Sequence, residues 1–296
     1  MKDNPSQTLR LKPGDPIPGL RCDHQERWLD LQLIMLNGET ISPLLPLGSD
    51  AAYVWVPKNG CSSLKRAWLQ ASGTITNITE LESTYVHGAV LPFTHWLRPN
   101  ELRAVAEYRN LIAIWRDPID RYVSACRSHL NQLTTKSINA RLNIHARGDQ
   151  SVFDRNHAKY DSSFRKLGIQ SLDDNADPRD LMNQVALELN AWVCSFLEWT
   201  HHTLPQIRFL GNDPSLYTTI LGMNQIGELV NQWRNASGQY IQQKAENVSK
   251  DHVDDPFRML SRGDLNSQAI DALESFYACD RDFLEHAQEK LGSWTI

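Results

Sequence analysis

The chain has 296 residues, 41% of them hydrophobic and 22% charged, enough to bury a sizeable core in one large α/β domain or two smaller ones. Its formal net charge of -5 gives no general attraction for nucleic acid or anionic membranes, so any anion site has to be a local cluster of basic groups. The five cysteines are widely spaced and form no Cys-x-x-Cys pair, which argues against a disulfide framework or a zinc finger and makes a reducing cytoplasm the expected home.

The first 20 residues are polar and rich in Pro and Gly, and read as neither a signal peptide nor a membrane anchor. No stretch approaches the roughly 18 apolar residues that a membrane span needs. Residues 31–36 and 40–45, either side of Asn37-Gly38, read as two strands about a turn, because Asn-Gly tolerates the positive φ of tight hairpins. They belong to a lead-in, residues 1–50, of a single domain covering 1–296.

Residues 51–56 are a continuous apolar run, ended by Pro57 and Gly60. A helical pattern follows, with Cys61, Leu64, Trp68 and Ala71 on one face. The arrangement recurs: residues 111–115 read as a second buried strand, followed by Arg116-Asp117-Pro118 and a helix with the apolar stripe Ile119, Tyr122, Val123, Cys126 and Leu130. Two such units predict a parallel sheet covered by helices.

Residues 145–180 are polar and poorly periodic, and read as a lid facing an acceptor or as a disordered insertion. Residues 181–199 carry Met182, Val185, Leu189, Trp192, Val193 and Phe196 at the spacing of a long core helix. A short strand is expected at 207–210 and a helix at 224–233. Helical spacing continues through 265–291.

The segment Pro57-Lys58-Asn59-Gly60-Cys61-Ser62-Ser63 lies where a strand passes into a helix, a place where backbone N–H groups lack helical acceptors and converge on one spot. Gly60 lets the backbone wrap an oxyanion, Ser62 and Ser63 add hydroxyls, and Lys58 adds a full positive charge. Lysine precedes the glycine here, unlike the triphosphatase loop, in which Lys and Ser/Thr follow it. A tight connection between strand and helix would look much the same.

Arg116 ends the second strand and Ser124 follows two helical turns into the next helix, where Arg121, Ser124, Arg127 and Ser128 share a polar side. A guanidinium with a hydroxyl can clamp a phosphate, although for an isolated Arg-Asp-Pro an Arg116-Asp117 pair stabilising the turn beside a solvated helix face is the simpler reading.

Together, "VPKNGCSSLKR" resembles the 5′-phosphosulfate loop of the sulfotransferases and "IWRDPIDRYVSACRS" resembles their 3′-phosphate motif, in matching order. The resemblance is to the carbohydrate branch, the chondroitin 4-O and uronyl 2-O enzymes. "HHTLPQIRFLG", "AENVSK" and "FYACDRDFL" resemble its later segments. It implies a three-layer, P-loop-like α/β fold with a central parallel sheet between helices.

By the same resemblance the donor is PAPS (3′-phosphoadenosine 5′-phosphosulfate) and the product PAP, with a hydroxyl-bearing acceptor such as a glycan or glycolipid. Lys58 and the loop Asn59, Gly60, Cys61, Ser62 and Ser63 would hold the 5′-phosphosulfate, Lys58 also stabilising the transition state. Arg116 and Ser124 would hold the 3′-phosphate, and Asn247, Ser249 and Lys250 would close on the nucleotide.

The segment "TYVHGAVLPF" resembles the histidine-bearing stretch of the uronyl enzymes, which implies His87 as the base, with Ala89 replacing a second histidine of that pattern. His95 and Glu82 are substitutes. No metal-ligand spacing is present, and metal-independent chemistry is expected. A kinase or triphosphatase, which would require magnesium and ATP, and a binding module without catalysis remain alternatives.

Overall fold

The structure, a computed structural model, describes residues 35, 38–47, 50–76, 86–133, 150, 154, 175–190, 201–238, 241 and 255–291. In chain order the main elements are β1 (Ser42–Leu47), β2 (Ala51–Val54), α1 (Cys61–Ala71), α2 (Val86–Val90), β3 (His95–Leu97), α3 (Pro99–Ala106), β4 (Asn110–Trp115) and α4 (Pro118–His129). They continue with α5 (Pro178–Leu187), α6 (Ile207–Leu210), β5 (Tyr217–Gly222), α7 (Ile226–Ser237), α8 (Ser267–Phe276) and α9 (Ala278–Leu291). Two compact units result, one of Met1–Arg116, Pro205–Val248 and Cys279–Ile296, the other of Asp117–Leu204 and Ser249–Ala278.

The first unit holds a five-stranded sheet in the order β3-β1-β2-β4-β5. β2 and β4, the two buried apolar runs, are parallel neighbours as predicted, β5 adds a third parallel strand, and β1 pairs antiparallel with both β2 and β3. β2 is buried from Ala52 to Val54 because both faces are covered. Against it packs α1, whose Leu64, Ala67 and Trp68 enclose a core with Tyr53, Val86, Val90, Leu229 and Trp233. Trp68 donates its indole N–H to the Pro46 carbonyl at 2.7 Å, so even this large ring meets its polar requirement. Trp115 of β4 stacks on Phe283 of α9.

In the second unit, α4 buries Ile119, Tyr122, Val123 and Cys126, the predicted stripe. Tyr122 donates to the Met182 carbonyl of α5 at 2.7 Å, and Tyr277 to the Thr203 carbonyl at 2.7 Å. Among the described residues no helix is long and apolar enough to cross a membrane.

Three expectations change. Of the hairpin expected from 31–36 and 40–45, Met35 is helical and the second strand lies at Ser42–Leu47 as β1, paired with β2 and β3, while residues 31–34, 36 and 37 lie outside the described residues. Residues 207–210 form a helical turn, not a strand, because the Asp280 carboxylate accepts from the Gln206 and Ile207 amides at 2.9 and 3.0 Å and caps its start. The next strand is β5, ten residues later. The helix expected over 181–199 starts earlier, at Pro178 with Asp177 as its cap, and ends at Leu187. Residues 191–200 lie outside the described residues, as does most of 145–180.

Candidate functional site

The loop after β2, α1, His87, Arg116 and Gln206 all belong to the first unit. The loop after β2 turns on two left-handed residues, Lys58 at φ 68° and Gly60 at φ 68°; Lys58 is the one non-glycine with positive φ among the described residues. A left-handed lysine costs roughly 1–2 kcal/mol, and such residues turn successive amides toward a common concavity that suits an anion. Gly60 caps α1 without a side-chain hydrogen bond, and the first turn carries no acidic residue. The partly buried Lys58, Ser62 and Ser63 lie around the positive end of α1, a combination of groups that can hold an anion.

Asn59 is fully buried and faces the other way, into the sheet. Its Nδ2 donates to the Ile114 carbonyl at 2.7 Å and to Gln206 Oε1 at 2.5 Å. Gln206 in turn donates from Nε2 to the Arg116 carbonyl at 2.8 Å, and Arg116 Nη1 donates to the Lys58 carbonyl at 2.8 Å. A closed circuit therefore ties the ends of β2 and β4 together, and the Arg116 guanidinium is held at the loop that carries Lys58. Asn59 is then a buried strut for the cradle. Gln206, anchored at its amide by Asp280, went unassigned in the sequence; it lies within "HHTLPQIRFLG", a segment that the family resemblance marks without giving it a role.

Beside α1, His87 of α2 has Nε2 2.8 Å from Ser62 Oγ and Nδ1 3.2 Å from Lys65 Nζ. Lys65 is 1% exposed, and its ammonium lies 3.3 Å from the centre of the Trp55 ring. Burial lowers Lys65 from the ordinary 10.5 to about 8. His87 is lowered from 6.5 to about 4, first by burial and then by the positive charges of Lys65 and Lys58. It is a neutral imidazole at physiological pH.

The other expected residues are distributed differently. His95 lies buried in β3. Glu82, Asn247, Ser249 and Lys250 lie outside the described residues. Ser124, in the second unit, is partly buried on α4, and its carbonyl accepts from Ser128 Oγ at 3.2 Å. Arg121, expected on the polar side of that helix, is instead fully buried, donating to the carbonyls of Leu204 at 2.5 Å and His201 at 3.3 Å. Those carbonyls need donors in the interior, and the guanidinium supplies them.

Residues 50–282 match the model of the sulfotransferase family, a span that contains the loop, His87, Arg116 and Ser124. The chain belongs to the sulfotransferase family. No curated protein matches the chain, and no solved structure does. Sulfuryl transfer is therefore the chemistry of this sulfotransferase.

Proposed function

We propose that this sulfotransferase takes its sulfuryl group from PAPS and passes it to a hydroxyl of a carbohydrate-like or other alcohol acceptor, releasing PAP. The observation that carries the reading is the uncapped start of α1 behind left-handed Lys58 and Gly60, with Arg116 hydrogen-bonded to that loop. The loop amides, Ser62 and Ser63 would receive the 5′-phosphosulfate, and Lys58 would carry the charge that builds on the leaving phosphate oxygen in a loose transition state.

The Arg116 guanidinium donates to the same loop at the Lys58 carbonyl. Its pairing with Ser124 on a 3′-phosphate is carried by the sequence motif, as is the closing role of Asn247, Ser249 and Lys250. In the reaction the acceptor oxygen bonds to sulfur, the bond from sulfur to the phosphate oxygen breaks with its electron pair going to that oxygen, and the acceptor's proton leaves. A base at His87 would have to work from an imidazole whose two ring nitrogens already engage Ser62 and Lys65.

The test is calorimetric titration with PAP, followed by transfer of labelled sulfate from PAPS over glycans, glycolipids and small alcohols. Binding of PAP with loss on Lys58→Ala and Arg116→Ala supports the reading. Binding without transfer to any acceptor would point to a module that kept the nucleotide site alone.

A further inference from the structure

Lys65 is a buried lysine that the reading above leaves without a task. Its ammonium sits on the Trp55 ring, 1% exposed, with the His87 ring nitrogen as its hydrogen-bonding contact. Burying such a charge is unfavourable unless it is paired and hydrogen-bonded, and titratable groups so perturbed cluster at functional sites. An ammonium has three donors and no acceptor. His87 Nδ1, at 3.2 Å from it, can therefore only accept, which leaves the imidazole proton on Nε2. Nε2, at 2.8 Å from Ser62 Oγ, is then the donor and the Ser62 oxygen the acceptor. The hydroxyl proton of Ser62 must point elsewhere than His87, and Ser62 stands in the first turn of α1, at the cradle.

Resting on the proposed donor site, we propose that Lys65 is a positioning residue for it: through His87, fixed as its Nε2-protonated tautomer, Lys65 turns the Ser62 hydroxyl into a donor for the bound anion. His87 is accordingly a positioning residue as well. Its Nε2 holds a proton and has no lone pair to take one from the acceptor hydroxyl. In a loose transition state the leaving bond is largely broken before the acceptor oxygen becomes acidic, so that proton passes late to water while the sulfur–oxygen bond forms. The neutral state of His87 fits this arrangement, with Lys58, Lys65 and Cys61 as the titratable neighbours that act on the pair.

The experiment is a long-range proton–nitrogen spectrum of the full chain, labelled on histidine nitrogen, at pH 7, with His87 assigned by its loss in His87→Gln. A single Nε2-protonated tautomer in the wild type is expected, giving way to a mixture in Lys65→Met; an Nδ1-protonated or exchanging ring in the wild type would overturn the proposal. PAP titrations form the second arm. Lys65→Met and Ser62→Ala should each weaken PAP by about tenfold, the loss of one hydrogen bond to a charged group, and the double variant by no more than the stronger single. Additive losses would show that Lys65 does not act through Ser62. Should the wild type fail to bind PAP, the donor assignment falls, while the tautomer still decides the role of Lys65 independently.

Discussion

Replacing Lys65 with methionine should make the protein more stable and a poorer binder of PAP. Lys65 titrates near 8 in the folded chain against 10.5 ordinarily, with burial as the leading cause. At about 1.4 kcal/mol for each pH unit, holding the ammonium charged at pH 7 costs folding ~3 kcal/mol. Methionine fills nearly the same volume without a charge, but gives up both the contact with the Trp55 face and the hydrogen bond to His87 Nδ1, which together offset about 1–2 kcal/mol. A net gain of roughly 1–2 kcal/mol remains, which would raise the melting temperature by about 2–8 °C in a chain of this size class.

The pH dependence carries the same signature. The folded pKa lies below the unfolded one, so between 8 and 10.5 the unfolded chain holds more protons and stability rises with pH. That rise is complete above 10.5 and lost as pH falls to 8. Melting curves of wild type and Lys65→Met at pH 7, 9 and 10 therefore suffice: the wild type should gain on the variant as pH rises. A variant less stable than wild type at pH 7, or two proteins with the same slope from pH 8 to 10, would refute the reasoning.

His87 should act at the acid end: with its pKa lowered from 6.5 to about 4, its contribution is full above 6.5 and lost as pH falls to 4, and His87→Gln should flatten that part of the stability profile measured by denaturant melts. Gly60→Ala places a methyl against Ile226 at a left-handed φ of 68°, and should lower stability by about 2 kcal/mol in the same melts while weakening PAP. In the second unit, Arg121→Met strands the carbonyls of His201 and Leu204 and should cost about 2–4 kcal/mol of stability, read by urea unfolding.

The parts of this structure legible in the sequence are those in which one signal dominates. The apolar run 51–56 and the helical stripe from Cys61 to Ala71 gave strand, loop and helix because strand burial and helix period leave different marks. The Pro57–Ser63 loop was legible as a tight turn between strand and helix from its residue types and place. What failed depended on distant partners. Ile-Arg-Phe-Leu at 207–210 is ambiguous by itself, and Asp280, more than seventy residues on, decides it. β5 carries two threonines and hides as a loop until it pairs with β4.

Arg121 follows the same rule. By position it belongs to a polar face, yet carbonyls some eighty residues away draw it inside. Gln206, Asn59 and Lys65 are buried polar side chains whose meaning is entirely in their contacts. His87 was visible as a histidine near the site, but its tautomer could be argued only once Lys65 was found beside it.

The central claim concerns the donor, and calorimetric titration of PAP into the wild-type chain, Lys58→Ala and Arg116→Ala tests it most directly. Binding without added metal, weakened at least tenfold in each variant with melting temperatures unchanged by more than a few degrees, is the predicted result. Wild-type affinity retained in both variants, or no heat of binding in the wild type, would contradict it.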